Sequence, residues 1–426
     1  MSFPRYPTYK DSGVEWLGEV PGHWRIQRLK FVCDIQTGSR DTENAVDGGE
    51  FPFFVRSQIV ERIDSCAFDC EAVLTAGDGA GVGKVFHHYT GPFDFHQRVY
   101  MLSNFRGVSG RFIYHYLREN FYKVALEGGA KSTVDSLRRP MFTNFAVALP
   151  PEDEQDLLIA FVDTESARID ALVSEQERLI ELLREKRHAV ISHAVTKGLD
   201  PNVPMTDSGV AWLGEVPAHW AVARLGRTLA HGPRNGVSPN VSRDGNRPSF
   251  STAAVSNGRV NIKDNVKFID LSDDDAAPFL VANGDLLVLR GSGSKERVGE
   301  AGIVDTDPPP GCVFPDILIR IRLGSTWLSA YGVELLNSGA VRPQMELEAQ
   351  TAAGIWKVSG GSLRDLVVPQ PPIAEQEAIT AFLDSETAQI DTLITSATHA
   401  ITLLQERRSA LITAAVTGQI DVRGVA

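Results

Sequence analysis

The sequence predicts an α+β chain: two mixed α/β modules separated by two long helices that form an antiparallel coiled coil with pseudo-twofold symmetry. Three observations carry this. A Trp- and Gly-punctuated segment occurs twice, DSGVEWLGEVPGHW from Asp11 to Trp24 and DSGVAWLGEVPAHW from Asp207 to Trp220. Extended to Leu29 and Leu225, fourteen of nineteen positions are identical. An acidic segment also occurs twice, Pro150–Asp200 and Pro371–Asp421, and aligns without a gap. The stretches between share little sequence. A solenoid needs three or more short units, so two copies at domain-scale spacing mean duplication of a whole module.

The acidic segments read as helices. Both open on a Pro pair, a favourable start because the first turn needs no amide donor. Apolar residues recur every seven positions, Val162, Ile169, Leu183 and Val190 in the first and Leu383, Ile390, Leu404 and Leu411 in the second. Leu172, Leu179 and Leu393 fill intermediate positions of the predicted seam. Gln176 breaks the first seam, and Ala397 is its equivalent in the second. Each helix would run for roughly forty residues, or about 60 Å. The alternative is a pair of ordinary amphipathic helices inside globular cores.

The modules read differently. Residues 25–149 hold short apolar or alternating runs bounded by turn residues (FPFFVRSQIV, EAVLTAG, QRVYMLS, FAVALPP), with one helix predicted over Gly110–Leu126. Residues 225–370 show the same style (GDLLVLRGSGS, EAGIVDT, DILIRIRL, LRDLVVPQPP), with a helix over Thr326–Asn337. Each ends in an apolar strand that meets a Pro pair and a long helix. The division is 1–24, 25–149, 150–198, 199–224, 225–370 and 371–426. Trp16, Trp24, Trp212 and Trp220 are expected as apolar anchors tying each module to a helix end. A docking surface for a partner is the other reading of these tryptophans.

Composition bounds the function. At 426 residues, 43% hydrophobic and 23% charged, the chain is long enough for two or three ordinary globular domains. Without an apolar run of membrane length or a signal-peptide core, a cytoplasmic location is expected. Cys33, Cys66, Cys70 and Cys312 complete no zinc set. The net charge of −12 is unevenly spread: residues 25–149 hold fifteen basic against fourteen acidic side chains, and residues 221–370 sixteen of each. The acid lies in 150–200, twelve against six, and 371–426, seven against three. A near-neutral module can still present a basic face to nucleic acid.

Catalytic motifs fail on inspection. GDGAGVGKV (Gly77–Val85) has Asp78 where a phosphate-binding loop needs its first glycine, and Val85 where it needs Ser or Thr. DPPP (Asp307–Pro310) lacks the aromatic that would stack on a flipped base. The ten histidines form no HExxH.

The repeated YKDSGVEWLGEVPGHW-type segment, the two PP-xx-EQ openings (Pro150–Gln155, Pro371–Gln376) and the heptad helices ending in EKR or ERR and AVT (Ala194–Thr196, Ala415–Thr417) together resemble the DNA-specificity subunit of type I restriction–modification systems. The resemblance covers the whole chain in architecture. It implies that each divergent module is a target-recognition domain and each long helix a spacer. It implies a non-catalytic subunit that binds double-stranded DNA, two methyltransferase subunits and restriction–translocation subunits. The cofactors, S-adenosylmethionine and ATP, would belong to those partners and none to this chain.

Reading a gapped target takes two surfaces at fixed distance and phase along the duplex, which a rigid helix pair can set. Base edges favour Arg, Lys, Asn and Gln; phosphates take Ser, Thr, Lys, Arg and backbone amides. In the first module the candidates are Arg56, Ser57, Gln58, Lys84, His96, Gln97, Arg98, Lys131, Ser132 and Thr133. In the second they are Arg290, Ser292, Ser294, Lys295, Arg297, Arg342, Gln344, Lys357 and Ser359. Two other functions fit the sequence less well: a coiled-coil scaffold whose modules bind proteins, and a nucleotide-dependent enzyme built on Gly77–Lys84.

Overall fold

The computed structural model describes residues 3–123, 137–238, 245–263, 265–352 and 355–424. The chain forms two compact units, Met1–Glu177 with Thr398–Ala426, and Arg178–Ala397.

In the first unit the repeated segment folds as a hairpin, Tyr9–Asp11 against Glu19–Pro21. Its DSGV turn is built by side chains: the Asp11 carboxylate accepts from the Gly13 amide (2.9 Å) and the Ser12 hydroxyl from the Val14 amide (3.1 Å). Such local bonds are why Asp and Ser favour turns. Strand Arg25–Arg28 then pairs antiparallel with Ala146–Leu149, so the chain enters and leaves the module on adjacent strands. Between them lies a six-stranded sheet of β1 (Asp34–Thr37), β2 (Phe51–Phe54), β3 (Glu61–Ile63), β4 (Phe68–Ala76), β5 (Phe86–Phe95) and β6 (Val99–Ser103), in the order β1-β6-β4-β5-β2-β3. Helix α1 (Gly110–Asn120) starts where the Ser109 hydroxyl accepts from the Phe112 amide at 3.2 Å. It buries Phe112, Ile113, Tyr116 and Leu117 with Leu158 and Val162 of the long helix α2 (Glu152–Lys197).

The second unit repeats this plan. Its hairpin pairs Met205–Asp207 with Glu215–Pro217, and the Asp207 carboxylate and Ser208 hydroxyl make the same two turn bonds. Ala221–Arg224 pairs with Val367–Gln370 at the module's mouth. The sheet comprises β7 (Leu229–Asn235), β8 (Val255–Ser256), β9 (Arg259–Val260), β10 (Leu286–Leu289), β11 (Ala301–Ile303) and β12 (Leu318–Leu323), ordered β7-β12-β10-β11-β9-β8. A separate pair, Arg247–Phe250 with Val266–Ile269, corresponds to β2–β3. Helix α3 (Ser329–Asn337) packs Tyr331, Leu335 and Leu336 with Ile191 and Val195 of α2 and Ile379 and Leu383 of α4 (Ile373–Val416). It begins three residues later than predicted because the Thr326 carbonyl is held by Gln376 Nε2 at 3.0 Å, which pins that stretch outside the helix. α1 ends before the predicted Leu126, which lies outside the described residues.

The repeated motifs form one kind of joint in each unit. In the first, Glu154 near the start of α2 accepts from Trp24 Nε1 (3.1 Å) and the Tyr6 hydroxyl (2.5 Å) and meets His23 Nε2 at 2.7 Å. Burial, then the carboxylate, push the Tyr6 phenol far above its ordinary pKa, so it remains a donor. In the second, Glu375 near the start of α4 meets His219 Nε2 (2.6 Å) and accepts from Trp220 Nε1 (2.8 Å). The neighbouring glutamines also match: the Gln155 side chain accepts from the Ser109 amide and that of Gln376 from the Leu328 amide, fixing the starts of α1 and α3. The C-terminal end of the other long helix closes each joint. Gly418 abuts Pro21 and Trp24, and Gly198 abuts Trp220. The tryptophans are not equal anchors. Trp24 and Trp220 are buried, and Trp16 stacks on Phe145 at 5.3 Å, but Trp212 is 47% exposed. The carbonyl that receives the Leu29 amide belongs to Phe145; its counterpart, receiving Leu225, belongs to Leu366, so Trp212 lacks that aromatic.

Within the first unit α2 runs antiparallel to α4: Val162 shares a core with Val416, and Asp170 pairs with Arg408. In the second, Arg187 pairs with Asp391 (3.4 Å) and Ile191 and Val195 meet Leu383. Val162, Ile169, Leu183, Leu383, Ile390 and Leu411 are buried, and Val190 and Leu404 are half-buried. Leu172, Leu179 and Leu393 depart from the expected seam, at 40, 42 and 53% exposed. The buried step from each heptad position is four residues, not three: the inward face of α2 runs 162, 166, 169, 173, 176, 180, 183, 187, and Ala397 is buried in α4. The three leucines therefore fall on the flank.

His115 of α1 is a buried titratable group against α2. Its Nε2 lies 3.6 Å from Asp163, which Arg111 binds at 2.8 Å. Burial pushes the imidazole down to about 4, with Asp163 opposing and Arg111, Arg118 and His88 reinforcing. A depressed histidine contributes stability that is complete above the unfolded value near 6.5 and is lost as pH falls toward about 4. His115→Leu is expected to remove about 2–3 kcal/mol of that acid dependence. Urea melts at pH 7.5, 6 and 4.5 check this, and an unchanged slope against pH rejects it.

Candidate nucleic-acid interface

In the first module the loop after β4 draws distant candidates together. Asp78 accepts from Arg56 and Arg98, both at 2.9 Å, so two exposed guanidiniums share one carboxylate. Gln58 donates to the Lys84 carbonyl at 3.2 Å, and His87, whose pKa burial lowers, holds the Ser57 carbonyl at 3.0 Å. Gln97 binds Asp41, whose carboxyl the Thr42 amide holds below the usual range. The result is an exposed polar patch of Arg56, Ser57, Gln58, Lys84, Gln97 and Arg98 with fixed backbone and net positive side chains. His96 is not part of the exposed surface. It is 2% exposed, and its Nδ1 accepts from the Arg98 amide (2.9 Å), so it shapes the turn. Lys131, Ser132 and Thr133 lie outside the described residues.

In the second module Arg290 follows β10 and donates to the Asp316 carbonyl at 3.1 Å. Gly291 and Ser292 pair with Lys357 and Trp356, so Lys357 lies beside that loop. Lys295 sits 5.2 Å over the Trp356 ring, and the Ser294 hydroxyl bonds Glu296 at 2.9 Å. Arg297 is held by Glu300 (3.0 Å) and the Val255 carbonyl (3.2 Å). Arg342 is largely enclosed and donates to the Glu296 carbonyl; burial lowers its pKa. It braces the loop from behind. Gln344 is 7% exposed, and its amide is spent on the carbonyls of Ala340 and Val367 and the Val367 amide. It cannot also pair with a base. Ser359 caps the helix Gly360–Asp365 through the Ser362 amide at 3.0 Å.

Sequence reasoning missed a second basic surface in this unit, formed by His231, Arg234, Arg320, Arg322 and Arg364. The available signal was the alternation in DILIRIRL. Period two places Arg320 and Arg322 on one face of β12, while Ile319 and Ile321 enter the core on the other.

Known proteins align with this architecture. A family model for the type I restriction modification DNA specificity domain matches residues 21–182. The chain is 25% identical to the type I restriction enzyme EcoKI specificity subunit of Escherichia coli (strain K12) over 396 residues, covering 92% of this chain and 82% of that one. It is 34% identical to the EcoDI specificity subunit of Escherichia coli over 178 residues, 42% of this chain and 39% of the relative. Among solved structures, one from work on complex assembly and conformational transition of the type I R-M system has a TM-score of 0.68 at 17% identity, covering 93% of this chain and 98% of its own. The HsdS subunit from Thermoanaerobacter tengcongensis has a TM-score of 0.52 at 17% identity, covering 94% and 98%. At that identity the two structures speak for the fold. The sequence matches carry the likeness further: residues 21–182 match the type I restriction modification DNA specificity domain, and over 92% of its length the chain is similar to a type I restriction enzyme specificity subunit.

Proposed function

We propose that the two modules, residues 25–149 and 225–370, each read one half of a gapped double-stranded DNA target, and that the long helices space them and dock two methyltransferase subunits and the restriction–translocation subunits. The carrying observation is the contrast between frame and contents. Hairpin, strand clip, Glu–Trp–His contacts and Gln latch recur at matching positions in both units, while the exposed polar loops differ. A frame that holds interchangeable contents in one geometry suits two different half-sites. The chain itself catalyses no step. S-adenosylmethionine and ATP act in the partners, and the complex works in the cytoplasm. Among the described residues no helix is long and apolar enough to cross a membrane.

The test is genome-wide adenine methylation mapping after co-expression with the cognate methyltransferase subunit. A bipartite motif with a constant gap is expected. Replacing residues 25–149 by another subunit's module should change one half only, because the chain enters and leaves that module on paired strands. A motif without a gap, or a swap that changes both halves, sinks the two-reader reading. A folded complex whose assembly ignores DNA at low salt points instead to a scaffold, since specific DNA binding must weaken steeply with salt.

A further inference from the structure

The basic surface of the second unit is a groove of about 1100 Å3 lined by His231 and Arg234 of β7, Arg320 and Arg322 of β12, and Arg364. The strand register sets His231 opposite Arg322 and Arg234 opposite Arg320. Arg234 and Arg320 are like charges directly across the ladder, which opposes folding, so that pair favours an anion beside it. The supporting charges are fixed. Arg322 forms a fork on buried Asp285 at 2.6 and 2.7 Å. Arg320, 9% exposed, spends its guanidinium on the Leu280 and Pro278 carbonyls and has no carboxylate within ion-pair distance among the described residues. Arg234 and Arg364 are exposed, and no described carboxylate pairs with either. Arg364 reaches the groove because Gly232 has no side chain; a β-carbon there would stand 2.6 Å from its Nη2. No described Asp or Glu lines the groove, and Gly232, Gly360 and Gly361 leave its wall low enough for close approach. The matching strands of the first module, β1 and β6, read DIQT and VYMLS and carry no cation. Those two strands therefore supply no counterpart to Arg234, Arg320 and Arg322.

We propose that this groove grips the phosphodiester backbone beside the half-site read by the second module, with Arg234 and Arg364 touching phosphates and Arg320 and Arg322 as fixed supporting charge. Arginine forks suit phosphate oxygens, and a groove walled by two strands and a helix suits a chain of phosphates better than one ion. The inference rests on the two-reader reading.

The experiment uses the assembled complex with its methyltransferase subunits. Arg234→Ala/Arg364→Ala is compared with wild type by fluorescence anisotropy on the mapped target and on an unrelated duplex of equal length, across a salt series. Both affinities are expected to fall about tenfold or more, the log–log salt slope to drop by about two, and the methylated motif to stay the same. Arg234→Lys/Arg364→Lys should recover most of the slope, which loss of folding would not allow. Unchanged affinity and slope with a DNA-binding wild type overturn the groove alone. A changed second half-motif overturns backbone gripping in favour of base reading. Inorganic phosphate protecting the wild type but not the Ala variant from thermal unfolding, with DNA affinity equal in both, assigns the groove to a small anion. A wild-type complex with neither gapped motif nor salt-dependent binding overturns the two-reader reading and the groove with it.

Discussion

Glu154→Ala is expected to lower the stability of the first unit by about 4 kcal/mol, and Glu375→Ala that of the second by about 2 kcal/mol. The difference follows from burial and partners. Glu154 is 4% exposed and gathers three groups, from Tyr6, His23 and Trp24. Removing it strands the Trp24 indole N–H and the Tyr6 hydroxyl in a core where Trp24 is fully buried, and each stranded group costs about 1–3 kcal/mol. Glu375 serves two groups, and its side chain is 40% exposed, so water can replace part of what is lost. Glu154→Gln, which keeps an acceptor but not the charge, should fall between wild type and Ala. For units of this size about 2–4 °C accompanies each kcal/mol, which calorimetry resolves. Equal effects at the two glutamates, or less than 1 kcal/mol at Glu154, would show that the repeated motif is not the structural joint described above.

How far such features were legible depends on whether their signal is local. The DSGV turns, the Pro-Pro helix starts and the heptads lie within a few residues of each other, and periodicity found them. The link from Trp24 to Glu154 spans 130 residues, so the sequence could show only that both motifs occur twice. Only the intermediate positions of the seam lie one residue past the predicted ones; the heptad positions themselves face inward. Leu172, Leu179 and Leu393 are about as apolar as their neighbours, yet the inward steps fall on buried Ile180 and on half-buried Val173 and Ile394. Hydrophobicity alone does not separate the flank of a helix pair from its centre. Among the polar candidates, Gln344 and His96 have the right chemistry for bases, and their burial appears only after folding. Arg234 and Arg364 escaped notice because they stand alone in sequence. Strand pairing and the Gly232 gap bring them to one groove.

The divergent modules share one steric requirement that composition hides, and it yields the second large prediction. Gly38 follows β1 and Gly236 follows β7, each at the point where the chain leaves the edge strand to cross over the sheet. A β-carbon on Gly236 would collide with the carbonyl oxygens of Phe314 and Pro315, and one on Gly38 with those of Phe95 and His96. The same parallel bridges follow, Arg40 with His96 and Val237 with Pro315. The Val237 amide is committed to the Phe314 carbonyl at 3.0 Å and the Asp316 amide to the Val237 carbonyl at 2.9 Å, so the backbone cannot retreat without breaking a bond. Gly236→Ala is therefore expected to destabilise the second unit by about 3 kcal/mol, the upper range for overpacking. Gly38→Ala should do the same to the first unit. Gly293→Ala is the control: it lies in the loop after β10, its β-carbon would meet nothing within 4 Å, and its effect should stay within about 0.5 kcal/mol. Each glycine should depress its own unit's calorimetric transition and leave methylation of the half read by the other module the less affected. A Gly236→Ala protein that melts like the Gly293→Ala protein would mean that the crossover has room to move, and that the matching glycines are coincidence and not a shared constraint of the two modules.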